Sequence, residues 1–281
     1  MRRVLTAAFA LGILALATSA AAGATGSLYV SANNAGAVGQ FNIGSGGLLS
    51  AKSPASVATG SSPDGIAISP SGMDLYVSAS TVVAQWDVGD GGLLAPKTPP
   101  SVASTATLRS AISPSGSSLY VAGSSGIAQF DIGTGLLTPK APASVSIPGG
   151  VLAVALTPDG QNAYASGNAG LIHQFNVAAN GTLTPKVPAS VNPTGALVWL
   201  SIAPNGKSLY ASNFNTPGNV KQFDIGLTGL LTAKPVPAVS AGSGPVGMAI
   251  SGDGKNAYVA ALNSASVAQF DIGADGSLIP K

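Results

Sequence analysis

The sequence predicts an all-β fold, a β-propeller of four-stranded antiparallel blades built from six repeat units. Three recurrences predict it. A Leu/Ala-Tyr pair returns at Tyr29, Tyr76, Tyr120, Tyr164, Tyr210 and Tyr258. A Gln-aromatic pair returns at Gln40-Phe41, Gln85-Trp86, Gln129-Phe130, Gln174-Phe175, Gln222-Phe223 and Gln269-Phe270. A lysine closes each unit at Lys52, Lys97, Lys140, Lys186, Lys234 and Lys281. Successive tyrosines lie 44 to 48 residues apart, and units of that length made of short strands are the signature of propeller blades. No segment longer than a few residues has helical period, which excludes a stack of helical pairs. A parallel β-helix uses much shorter repeats.

Each full unit reads as four strands. Strand a is an apolar run such as Ile66-Ala67-Ile68-Ser69, with counterparts at Ala111-Ile112, Ala153–Leu156, Leu200–Ala203 and Met248–Ser251. Its continuous apolarity fits a strand covered on both faces. A Pro-x-Gly turn follows at Pro70-Ser71-Gly72, Pro114-Ser115-Gly116, Pro158-Asp159-Gly160 and Pro204-Asn205-Gly206, and the last unit keeps Asp253-Gly254. Glycine supplies the positive φ such hairpins require. Strand b is Leu75-Tyr76-Val77 and its equivalents. Strand c is Val83–Val88 and its equivalents. Strand d is the Leu-Leu-x-x-Lys segment, and a Pro/Ser-rich connector such as Ser53–Val57 leads onward. The chain enters the first unit at strand b, so strand a of that unit is expected to be missing and the units supply 23 strands.

Residues 1–24 read as a secretory signal peptide and residues 27–281 as the propeller domain. Met1-Arg2-Arg3 is a basic start, Val4–Ala17 an apolar run, and Thr18–Ala24 a small-residue tail with A-x-A patterns. The apolar run is shorter than the ~20 residues a spanning helix needs, so no membrane span is expected in the mature chain. Export with cleavage near Ala22–Ala24 places the protein outside the cytoplasm, in the periplasm, at the cell wall or free. Without Arg2 and Arg3 the remaining ten Lys and Arg balance ten Asp. That balance excludes the basic footprint of a nucleic-acid or anionic-membrane binder. There is no Cys and no Glu. The chain offers no His/Cys cluster for a metal, and no cofactor is expected.

The units Leu75-Tyr76-Val77-Ser78, Leu119-Tyr120-Val121-Ala122 and Ala257-Tyr258-Val259-Ala260, each after a Pro/Asp-Gly turn, resemble the YVTN-type repeat. From about residue 27 to 281 the chain resembles the lactonase-like β-propellers, the fold family that includes 6-phosphogluconolactonase. The resemblance implies a ring of seven blades, so the six units here read as a six-bladed or an incomplete seven-bladed ring. It also implies a site of His, Arg and acidic residues at the mouth of a central channel. Arg109 stands near one such position; no His matches.

Residues that recur with the repeat are expected to serve packing. The glutamines should bond between blades, because buried amides need partners, and the tyrosine rings should pack between them. The Asp of Phe-Asp-Ile-Gly (Asp131, Asp224, Asp271, and Asp87 after Trp86) reads as a turn residue, and the lysines as solvated on an outer strand. Residues that break the repeat are the candidates for a ligand. At the start of strand a the series runs Gly65, Arg109, Ala153, Trp199 and Gly247. Arg109 is a guanidinium fork for a carboxylate or phosphate, and Trp199 a stacking platform for a sugar or cation. Asp64, beside the Gly65 position, is the best-placed carboxylate. Asn213, Phe214 and Asn215 form the longest b-to-c loop, with smaller loops at Asn33-Asn34 and Asn168. His173, on strand c, reads as a solvated tip.

The leading expectation is a secreted, non-catalytic binding or structural module whose partner is a small anionic or carbohydrate ligand, or another protein. The alternative is a lactonase-type hydrolase acting on a sugar lactone.

Overall fold

The computed structural model describes residues 14–17, 26–60, 62–167 and 169–281. The strands form six four-stranded sheets, each built from strands consecutive in the chain. The first blade holds β1 (Leu14–Ala17), β2 (Gly26–Ala32), β3 (Ala37–Ile43) and β4 (Leu49–Ala58). The second holds β5 (Pro63–Ile68), β6 (Asp74–Ala79), β7 (Val82–Val88) and β8 (Leu94–Ala103). The third holds β9 (Ser110–Ile112), β10 (Ser118–Gly123), β11 (Gly126–Ile132) and β12 (Leu137–Ser146). The fourth runs from β13 (Val151–Leu156) through β14 (Asn162–Gly167) and β15 (Ile172–Val177) to β16 (Leu183–Val191). The fifth holds β17 (Leu197–Ile202), β18 (Ser208–Asn213), β19 (Asn219–Ile225) and β20 (Leu231–Ser240). The sixth holds β21 (Pro245–Ile250), β22 (Asn256–Ala261), β23 (Ser266–Ile272) and β24 (Leu278–Pro280). This is the all-β propeller architecture the repeat predicts. The chain forms two compact units, Met1–Ser110 with Ile132–Thr138, and Ala111–Asp131 with Pro139–Lys281.

Two expectations about strands are corrected. Strand a of the first unit is present: Leu14–Ala17 pairs antiparallel with β2, in register Leu14↔Val30 to Ala17↔Ser27. The described strands therefore number 24. The rest of the expected signal peptide, residues 1–13 and 18–24, lies outside the described residues, as does Asn168. The Pro/Ser-rich connector is the second half of strand d, since β4 runs on through Ser53–Val57. It stays paired because a register shift between Gly39 and Phe41 absorbs the irregularity opposite Gln40, whose side-chain N–H donates to the Pro54 carbonyl at 3.2 Å.

Blades are joined by the repeated side chains. In the first unit Gln40 Oε1 accepts from Leu94 N–H of the next blade at 2.8 Å, and Gln85 Oε1 accepts from Leu137 N–H at 2.6 Å. In the second unit Gln129, Gln174 and Gln222 accept likewise from Leu183, Leu231 and Leu278 at 2.8, 2.7 and 2.7 Å. Each of these glutamines is fully buried. The tyrosine hydroxyls reach the same neighbour: Tyr29 donates to Gly92 O at 2.6 Å, Tyr76 to Gly135 O at 2.8 Å and Tyr164 to Gly229 O at 2.7 Å. Burial pushes these phenols above their ordinary pKa.

The expectation of solvated lysines is overturned for five of the six. Lys52, Lys97, Lys140, Lys186 and Lys234 are all buried. Each ammonium caps the Asn or Asp on strand c of its own blade: Asn42, Asp87, Asp131, Asn176 and Asp224. Four of them also reach a turn carbonyl of the next blade, at Gly91, Asn180, Thr228 and Asp275. So the strand-c Asp is the lysine's counter-ion, not a turn residue. The aliphatic stem lies along the blade while the head finds oxygen acceptors. Where the partner is Asn, burial pulls Lys52 and Lys186 below the usual ammonium pKa. At Lys97 burial pulls down too, and the carboxylates of Asp74 and Asp87 outweigh it.

Replacing Gln129 by Leu should leave the buried Leu183 N–H unsatisfied and cost about 1–3 kcal/mol of unfolding free energy. Gln269→Leu, at the exposed sixth-blade equivalent, should change stability by less than about 0.5 kcal/mol. Urea unfolding of the two variants against the parent checks this. Equal losses would contradict the assignment.

Candidate functional site

The repeat breaks most sharply at the entries to strand a of the second and third blades, both within the first compact unit. Asp64 sits on β5 in the second blade, and Arg109 directly precedes β9. Arg109 is buried, 8% exposed, and Asp64 is half-buried. The two are electrostatically coupled. Burial raises the Asp64 carboxyl above its ordinary pKa, and the Arg109 charge partly opposes this. Burial likewise lowers Arg109, and the Asp64 charge opposes that. One carboxylate oxygen, Asp64 Oδ1, is buried with no hydrogen-bond partner among the described residues. A buried polar atom without a donor is rare and calls for a reason.

The backbone around the pair is clamped. Ser78 Oγ accepts from Gly65 N–H at 3.0 Å and donates to the Leu108 carbonyl, so one hydroxyl ties the residue after Asp64 to the residue before Arg109. Ser31 Oγ donates to the Asp64 carbonyl at 3.1 Å, and Asn33 Nδ2 to the Pro63 carbonyl at 3.4 Å. The two chain segments approach so closely that a Cβ on Gly65 would lie 2.5 Å from Leu108 O and 2.9 Å from Ser110 N. The smallness of residue 65 is therefore what lets Arg109 come beside Asp64.

Ser110 joins this site and was not singled out from the sequence. Its Oγ is buried and takes no partner among the described residues. A signal was present: Ser110 occupies the place held by Ile66, Val154, Leu200 and Met248 in other units. A hydroxyl at an otherwise apolar position breaks the repeat as Arg109 does.

The remaining candidates belong to the second unit. Trp199, on β17, is half-buried against the cluster around Met248. Its indole N–H donates to Ser201 Oγ at 3.0 Å, and that hydroxyl donates to the Met248 carbonyl at 3.0 Å. Asn213 is buried, and its amide is committed to structure: Oδ1 accepts from Ala196 N–H at 2.8 Å and Nδ2 donates to Asn219 Oδ1 at 3.3 Å. Phe214 is half-buried, while Asn215 is exposed and lends its carbonyl to Gly244 N–H at 3.1 Å. His173 is half-buried rather than a solvated tip, and burial lowers its pKa. A groove of about 840 Å3 runs past the hairpin turns at Asp159, Asn205 and Asp275; none of the candidate residues lines it. Among the described residues no group of three or more His, Asp or Glu is placed to hold a metal ion, and no helix is long and apolar enough to cross a membrane.

Residues 161–281 match the family model described as "Lactonase, 7-bladed beta-propeller". That stretch, under half of the chain, resembles the lactonase-like β-propellers. The solved structures similar to the chain include a candidate 6-phosphogluconolactonase of Bacteroides fragilis, at a TM-score of 0.76 and 20% identity, over 90% of this chain and 79% of that one. The periplasmic gluconolactonase of Pseudomonas aeruginosa gives a TM-score of 0.76 at 20% identity, over 91% and 81%. The hydrazine synthase of Kuenenia stuttgartiensis gives 0.66 at 19%, over 87% and 73%. No curated protein matches the chain. Identities this low establish the fold alone, and proteins of such different names sharing it show why function must be argued from the site.

Gly65→Ala should destabilise by about 1–3 kcal/mol, because the new methyl overpacks against backbone that cannot yield freely. Gly247→Ala, at the aligned place with nothing within 4 Å of its Cβ, should stay within about 0.5 kcal/mol of the parent. Thermal unfolding compares the two. A harmless Gly65→Ala would contradict the close approach on which the site depends.

Proposed function

We propose that the chain is a lactonase-type hydrolase acting on a sugar lactone, with Asp64, Arg109 and Ser110 as its working groups. The observation that carries the reading is the buried Asp64 oxygen without an internal donor, held beside a buried guanidinium. Its support from kinship is the lactonase family match and the gluconolactonase among the fold neighbours.

The chemistry needs a base, a stabiliser of negative charge and little else. Water adds to the lactone carbonyl carbon as Asp64 takes one of its protons. Negative charge grows on the carbonyl oxygen, where the Arg109 guanidinium stabilises it without having to reorganise. The ring C–O bond then breaks, and the proton held by Asp64 passes to the departing ring oxygen, leaving an open-chain hydroxy acid. A base works better as its pKa rises toward the working pH, so the burial that raises Asp64 improves it for this step. Ser110 offers a hydroxyl to a sugar oxygen.

The second reading is a non-catalytic module that binds a small anionic or carbohydrate ligand, at this site or, in the second unit, at Trp199 or the Asn213–Asn215 loop. What favours it is the regularity of the repeat and the lack of Glu. Under either reading, the pattern of residues 1–24 supports export, and the periplasmic gluconolactonase among the fold neighbours agrees with it. In an exported, cleaved chain β1 would be lost with the leader.

The test is a panel of sugar lactones offered to protein recovered from outside the cytoplasm; an intact Met1 on a membrane-bound product would contradict export. Hydrolysis should exceed the spontaneous rate. Asp64→Asn should lower kcat/KM about 10²- to 10⁴-fold, and Arg109→Ala at least about tenfold, the loss expected for a hydrogen bond to a charged group. kcat/KM should rise with pH as Asp64 loses its proton, with a midpoint above the ordinary 3.8. Sugar binding without turnover would leave the binding-module reading. Binding untouched by Arg109→Ala and Trp199→Ala would move the site to the Asn213–Asn215 loop.

A further inference from the structure

The groove of about 840 Å3 in the second unit lies among turns and strand ends of the fourth, fifth and sixth blades. Its size falls within the ~300–1,000 Å3 usual for ligand sites. It is also where the repeat breaks at three places together. Asn162, two residues before the strand-b tyrosine, replaces Ser27, Asp74, Ser118 and Ser208 of other blades. Asn176, on strand c, replaces Asp87, Asp131 and Asp224. Asn205, in the turn from strand a to strand b, replaces Ser71, Ser115, Asp159 and Asp253. Among the described residues, only the fourth blade and the turn that follows it bring three carboxamides to one groove.

Packing does not use these amides up. Asn205 Oδ1 accepts from Lys207 N–H at 2.9 Å, which leaves its NH2 group over. The Asn162 amide makes no side-chain hydrogen bond among the described residues. Its room is kept by Gly229, where a Cβ would lie 1.9 Å from Asn162 Oδ1. Asn176 Oδ1 accepts from the Lys186 ammonium at 2.5 Å, so its NH2 group is over as well. That lysine is the telling one. In the second blade Lys97 is neutralised by two carboxylates at the same two places, Asp74 and Asp87. In the fourth blade Lys186 meets only neutral oxygens, of Asn176 and of the Thr228 carbonyl. Its buried charge polarises the Asn176 amide and strengthens that amide's own N–H donors.

We infer that the groove is a binding site for a neutral saccharide, read by the carboxamides of Asn162, Asn176 and Asn205. A carboxamide both gives and takes hydrogen bonds, as the neighbouring hydroxyls of a sugar do. Acceptors are at hand in the same lining. Asp159 spends one oxygen on Gln161 N–H, and Asp224 one on Lys234, and each has a second. Those carboxylates, with Asp275 beside them, disfavour an anionic ligand, because like charges brought together repel. A metal ion is disfavoured too, since no three acidic groups of the described residues are placed to hold one. Leu227, fully exposed, and Val177 offer apolar contact to the C–H face of a sugar ring.

Calorimetric titration of the full chain with maltose, cellobiose, lactose and chitobiose tests this, and at least one of them should bind. The decisive variant is the triple replacement Asn162→Ser, Asn176→Asp and Asn205→Ser. Each new side chain is one that another blade carries at that place. Ser71 and Ser115 accept from the turn N–H as Asn205 does, and Asp131 caps its lysine as Asn176 does. The variant should therefore fold with an unchanged melting temperature. Its affinity should fall at least about tenfold, the loss expected for several hydrogen bonds of ordinary strength. No binding by any of the four sugars overturns the inference. So does binding that survives the triple replacement, or that Arg109→Ala abolishes, since the sugar then sits elsewhere. The readout is binding and requires no turnover at Asp64, so the failure of either reading leaves the other standing.

Discussion

The structure depends on a side-chain amide that completes a backbone. Strand d of each blade would present an unpaired N–H to its neighbour, and the glutamine of the preceding blade accepts from it in five of five completed contacts. The same amide donates back into its own strand d, at Pro54, Pro99, Pro142, Pro188 and Val236. One residue thus pins the irregular half of its own blade and docks the next. An unmade hydrogen bond at a buried site costs more than a made one contributes, so the amide enforces blade order more than it adds stability. Tyrosine and lysine strengthen the contact at the turn just before that N–H.

This division of labour explains an unusual composition. Charged residues make up only 8% of the chain, and much of that charge is drawn inside. Buried ammonium groups are tolerable only where oxygen acceptors surround them. The carboxylate or amide on strand c, together with a neighbouring turn carbonyl, supplies those acceptors. The half-exposed carboxylates of Asp87, Asp131 and Asp224 keep one edge in water, which limits the desolvation cost. Recurring positions are in this way consumed by architecture, and chemistry is left to positions where the repeat is broken.

How much of this was legible in the sequence follows from the same division. The tyrosine and glutamine contacts were legible because a buried phenol or amide repeated at a fixed period has few roles other than bonding to its neighbour. The lysines were misread because Leu-Leu-x-x-Lys looks like an outer amphipathic strand; their acceptors sit on strand c and in the next blade, and only the pairing register brings them together. Leu14–Ala17 was assigned wholly to a leader because an apolar run has the same appearance there as in an inner strand. Arg109 was marked as a departure from the repeat and Asp64 as the best-placed carboxylate, but their coupling needed the tertiary fact that Gly65 lets two strand entries touch. Ser110 was overlooked beside the larger Arg109, although a hydroxyl in a column of Ile, Val, Leu and Met carries the same kind of signal.

The central claim is that the glutamine-bound N–H groups hold the blades of each compact unit together. Native-state amide hydrogen exchange reads this directly at Leu94, Leu137, Leu183, Leu231 and Leu278. Amides sealed between blades should exchange only when their unit unfolds, with protection close to the free energy of unfolding. These five should rank among the slowest in the chain, far slower than amides of exposed turns such as Ser71. Exchange at the rate of the turn amides would mean that the blades separate freely in the native state and would contradict the account.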